Sequence, residues 1–147
     1  LLFALPALAS APPGAYIRTH NGGGVEVKAV YAPPEYFAAA NDAKGAERFK
    51  PGEQIVFLLT FDTHSGDLTK YDVLANIRLR TGQGKAYAPA RWEATRNDSH
   101  HRSGALIFPT TVDGRDVIGR DARAVSLVIA NLAGVPARTL EWNLPIK

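Results

Sequence analysis

Apolar residues recur at every second position through most of this chain, and a period of two is what a half-buried strand requires. Val25, Val27, Ala29 and Tyr31 alternate with Glu26 and Lys28, which leaves one face apolar. Residues 54–62 put Ile55, Phe57, Leu59 and Phe61 on one face and Val56 and Leu58 on the other, the pattern of a central strand covered on both sides. Val73, Ala75, Ile77 and Leu79 alternate with Asn76, Arg78 and Arg80, and Leu140, Trp142 and Leu144 alternate with Thr139, Glu141 and Asn143. Shorter β-rich runs cover 105–108 and 125–130. Turn residues separate the runs at 21–24, at Pro51 with Gly52, at 82–84, at Asp113 with Gly114 and at 134–136. Seven or eight strands at this spacing predict an all-β fold, an antiparallel sandwich of immunoglobulin-like type. One segment departs from the pattern. Residues 35–41 are alanine-rich and follow Pro33 and Pro34, which predicts a short helical insertion near 34–42 that stops near Gly45.

Residues 1–11 are uncharged and largely apolar, and Ala7 with Ala9, or Ala9 with Ala11, give the A-x-A spacing a signal peptidase accepts. The run reads as a signal-peptide remnant, with residues 12–147 as one sandwich domain and a secreted or periplasmic location. About 135 residues suit a single core. The formal charge of +3 is spread among lysines, arginines and fourteen acids, so nucleic acid and anionic membranes are poor partners. No later segment is long and apolar enough to span a bilayer. The chain has neither cysteine nor methionine, so a bound metal would sit on nitrogen and oxygen, a set that suits zinc or copper(II).

Three of the four histidines fall in two short polar segments, 62–67 and 97–102. Imidazole is the commonest metal-ligating side chain, and these three stand among carboxylates. In an antiparallel sandwich, strands run up and down alternately, and this parity delivers His20, His64, His100 and His101 to one end if a strand forms around Arg91 to Ala94. The expected ligands are His64, His100 and His101. Asp62, Asp67 and Asp98 are candidates for a fourth ligand or for an acceptor that orients an imidazole. His20 abuts a glycine-rich turn and is a bystander. In a regular strand His100 and His101 point to opposite faces, so both can meet one metal only across a turn or bulge.

The run Thr63, His64, Ser65, Gly66, Asp67, Leu68, with Trp92 and then His100, His101, Arg102, Ser103, Gly104, resembles a group of exported bacterial β-sandwich proteins of unassigned function. These pair a Thr-His-Ser-x-Asp-Leu strand end with a downstream Trp and a His-His-x-Ser-Gly segment. The resemblance covers roughly the middle half of the chain, implies that the two segments belong to one site, and identifies no ligand. No Gly-x-Ser-x-Gly elbow is present, and small sandwiches bind more often than they catalyse. The sequence therefore points to a non-enzymatic, exported transition-metal-binding protein for metal handling, sensing or delivery, with another exported or membrane protein as a further partner. The alternative is an adhesion or interaction domain whose histidine loops are structural or touch that partner.

Overall fold

The computed structural model describes residues 1, 10–82 and 84–147, so the expected leader lies almost wholly outside the described residues. A single 3-10 turn, Pro13–Tyr16, leads into β1 (Ile17–Gly22), which forms a hairpin with β2 (Val25–Tyr31). The chain then makes two short helices, α1 (Pro34–Ala39) and α2 (Ala43–Phe49), before the nine-residue β3 (Ile55–Thr63). A second 3-10 turn, Leu68–Lys70, and one helical turn, α3 (Val73–Asn76), lead to β4 (Ile77–Thr81) and the two-residue β5 (Ala86–Tyr87). Next come β6 (Arg91–Asn97) and β7 (His101–Phe108), then a small hairpin of β8 (Thr111–Val112) and β9 (Arg115–Asp116). A long hairpin of β10 (Ala124–Leu132) and β11 (Val135–Asn143) completes the fold.

Nine of these strands form two antiparallel sheets, one of five strands in the order β1-β2-β3-β7-β6 and one of four in the order β11-β10-β4-β5, and β8 with β9 stands apart as a two-stranded ribbon. This is the all-β sandwich expected from the alternation, although the strand order stops short of an immunoglobulin-like assignment. The inner faces meet in one core: Val27, Phe57, Leu59, Phe61 and Leu106 from the first sheet against Leu79, Leu127, Ile129, Leu140 and Trp142 from the second. Gly104 is a packing requirement, because a Cβ there would come within 2.8 Å of the Trp92 ring.

A second apolar cluster lies on the outside of the five-stranded sheet, where Phe37 and Phe49 of the helical insertion cover Val30, Val56, Ala105 and Ile107. β3 is thus buried on both faces over this part of its length, as its continuous apolar sequence requires. The insertion is longer than the sequence implied. Gly45 does not stop it but sits in the first turn of α2, where its N–H donates to the Asp42 carboxylate at 2.8 Å. The helix ends at Lys50, in the left-handed region at φ 48°.

Residues 73–76 also differ from expectation. Asp72 caps them by accepting from the Ala75 N–H at 3.0 Å, and the strand starts only at Ile77. Val73 and Ile77 are four apart, a spacing that satisfies both a period of two and one helical turn, and both are buried.

The sandwich is laced along one side. Trp142 donates its indole N–H to the Tyr16 carbonyl at 2.7 Å, and Arg18 Nε donates to the Glu141 carbonyl at 2.8 Å. At one end the β1–β2 turn packs on the β10–β11 turn so tightly that a Cβ on Gly23 would collide with the Ala133 carbonyl. Arg138, 1% exposed, reaches across this junction and donates to the carbonyls of Gly22 (2.8 Å), Val25 (3.0 Å) and Leu132 (3.1 Å).

Candidate functional site

The end closed by those two turns is also the histidine end. β6 forms across Arg91–Asn97, so the strand parity holds and His20, His64, His100 and His101 all lie there. Register then decides which side chains meet. Asn21 pairs with Glu26, Glu26 with Asp62, and Asp62 with His101, so four neighbouring strands deliver four polar side chains in one row. Residues directly opposite on antiparallel strands share a face, and these four share the outer face of the five-stranded sheet. The insertion covers the other half of that face and leaves this half bare.

Within the row, His101 Nδ1 lies 2.6 Å from Asp62 Oδ1, both side chains being about two-fifths exposed (45% and 40%). A carboxylate can only accept, so Nδ1 donates and Nε2 is the ring nitrogen left free of this bond. Glu26, directly across from Asp62, makes no ion pair among the described residues. Two carboxylates opposed on adjacent strands repel, and only Asp62 of the two has a hydrogen bond from His101.

The β6–β7 turn answers the problem of the adjacent histidines. Asp98 accepts the N–H of His101 at 2.7 Å and of His100 at 3.1 Å, while Arg96 Nε donates to its other oxygen at 2.8 Å. The turn places His101 as the first residue of β7, on the row, and holds His100 in the preceding bend. The Arg96 hydrogen bond, followed by the two amides, holds the Asp98 carboxyl below the usual range. Asp67 is similarly occupied, since it accepts from the Thr69 amide at 3.0 Å and from the Thr69 hydroxyl, and these bonds lower its pKa, with Lys70 and His100 as lesser contributors.

His64 follows β3 directly. Thr63 anchors this loop, its Oγ lying 2.9 Å from the carbonyls of both Gly24 and Ser65. His64 itself is exposed and lines, with Asn21, Glu26, Asp62 and His101, a hollow of about 410 Å³. His100 does not line it. His20 turns away from the row toward the sandwich interior, where its Nδ1 stands 3.3 Å from Arg138 Nη1.

Of the six expected site residues, the structure therefore brings His64, His101 and Asp62 to one hollow, and uses Asp67 and Asp98 as turn and cap acceptors. Among the described residues, no three His, Cys, Asp or Glu side chains come together closely enough to hold a metal ion. Asn21 and Glu26 escaped the sequence reading. The Gly23–Gly24 turn, with φ of 59° and 76°, is the signal that would have placed them opposite one another. No helix among the described residues is long and apolar enough to cross a membrane. Comparison with known protein families, curated proteins and solved structures finds no match to this chain.

Proposed function

We propose that this is a non-enzymatic, exported protein whose histidine end binds zinc or copper(II). The observation that carries the proposal is the Asp62–His101 hydrogen bond in a hollow shared with His64. A carboxylate that fixes Nδ1–H is the usual support of a ligating imidazole, because it sets the tautomer and makes Nε2 more basic. Both ions accept imidazole nitrogen. His101 through Nε2 and His64 would be the protein ligands, with Asp62 as the orienting group. Two imidazoles leave coordination positions open to water or to a donor from a partner, which suits delivery or sensing better than permanent storage. Export rests on the apolar residues 1–11 and their A-x-A spacing.

The test is titration of tag-free protein with zinc and with copper(II), followed by calorimetry. One equivalent is expected. His64→Ala and His101→Ala should each remove most of the affinity, Asp62→Asn should weaken it about tenfold, and His100→Ala should leave it unchanged. Failure of the native protein to take up either ion above background overturns the proposal.

The bare row of Asn21, Glu26, Asp62 and His101 favours a second reading, an interaction surface for another exported protein. On that reading Glu26→Lys abolishes partner capture, and a chelator does not.

A further inference from the structure

Most arginines of this chain are used by the fold. Arg18, Arg78, Arg91, Arg96, Arg102 and Arg138 all donate side-chain hydrogen bonds, and Arg48 lies over the ring of Phe49 at 4.9 Å. Arg115, Arg120 and Arg123 are different. With Lys85 they line one hollow of about 460 Å³, and among the described residues none of the four makes an ion pair. All four side chains are exposed.

The hollow lies at the opposite end of the sandwich from the histidines. Thr81 pairs with Val125 at the start of β10, whereas the β10–β11 turn that meets Gly23 is at the far end of the same strand. Three segments build it: the β4–β5 hairpin, residues 115–117, and the loop 119–123, which is held as a turn by the Ala122 N–H donating to the Gly119 carbonyl at 3.1 Å. Tyr87, packed against the main core, forms a firm wall. Asp116 and Asp121 are the carboxylates of the lining, so cations outnumber acids two to one.

Guanidinium groups present planar forks of N–H donors that match the oxygens of a carboxylate or phosphate, and several converging on one concavity create a local positive potential. We propose that this hollow is a binding site, separate from the histidine end, for a small oxyanion that carries two or more negative charges. The excess of positive charge over Asp116 and Asp121 suits such a ligand better than a monovalent one.

The experiment titrates the full chain, at low ionic strength, with inorganic pyrophosphate and separately with citrate, and follows amide and arginine Nε proton resonances by NMR. Saturable shifts confined to Gly82, Gly119, Ala122 and the three arginines are expected, and added salt should weaken them. The tighter of the two probes assigns the phosphate or the polycarboxylate class. The double variant Arg120→Ser with Arg123→Ser should bind at least about tenfold more weakly, while Arg80→Ser and His64→Ala bind as the native chain does. Absence of saturation with both probes overturns the proposal. So do shifts of equal size at Arg48 and Arg80, or native affinity in the double variant.

Discussion

Arg138 brings a guanidinium into the interior with no carboxylate beside it. Among the described residues it makes no ion pair and its Nε finds no hydrogen-bond partner. Its role is set by geometry: one planar fork reaches carbonyls in both hairpin turns and the ring nitrogen of His20. A buried donor set of this kind is strongly destabilising to remove, because the carbonyls it serves are left dry and unpaired. Arg138→Met, which keeps much of the apolar volume, is expected to lose about 3 kcal/mol of unfolding free energy in urea titration. Arg138→Lys should recover little of it, since an ammonium lacks the fork. A methionine variant as stable as the native chain would remove the clamp from the account. The alternation that buries Leu140 and Trp142 buries Arg138 too, yet a charged residue on a strand is ordinarily assigned to solvent.

Among the elements, the turns carry the chemistry and were the hardest to read. β2 and β3 follow their sequence pattern because burial of one or both faces fixes their register. The β6–β7 turn is capped by the side chain of Asp98, whose bonds to two amides join the backbone bonds Asp98 N–H to His101 O and Thr63 N–H to His100 O in setting His101 and not His100 on the row. Parity alone could place both histidines at one end but could not choose between them. The acid dependence of this turn has a definite sign. The carboxyls of Asp98 and Asp67 have folded-state pKa values below their unfolded ones, so their contribution is complete above about pH 4 and is lost as the pH falls through the lower folded values. The protection of the His100 and His101 amides, taken as the ratio of intrinsic to observed exchange rate at each pH, should therefore fall on acidification below that point. Asp98→Ala should show the same loss of protection at neutral pH, and unchanged protection in the variant would show that the turn holds without its cap.

At the scale of the molecule, the five-stranded sheet separates two apolar clusters that share its strands. Phe57 faces the main core while its neighbour Val56 faces the helical insertion, so β3 cannot leave one cluster and stay in the other. Leu127→Ala in the main core and Phe37→Ala in the outer cluster are each expected to cost about 3 kcal/mol. Both should shift one common transition. Tryptophan fluorescence, which reports Trp92 and Trp142 on the inner side, and far-ultraviolet circular dichroism should give the same midpoint in the Phe37→Ala protein. Separate midpoints would mean that the insertion melts on its own.

The lacing of β1 to β11 governs when the domain can form. Trp142 meets Tyr16 across 126 positions and Arg138 meets Gly22 across 116. Contacts this distant close late, after the intervening chain has been ordered. A chain emerging from the ribosome amino end first keeps the β1–β2 hairpin unlaced until the β10–β11 hairpin has been made. Closure of this domain therefore waits for synthesis of the whole span from β1 to β11, and a process that needs an extended chain, such as threading through a narrow channel, has that interval in which to act.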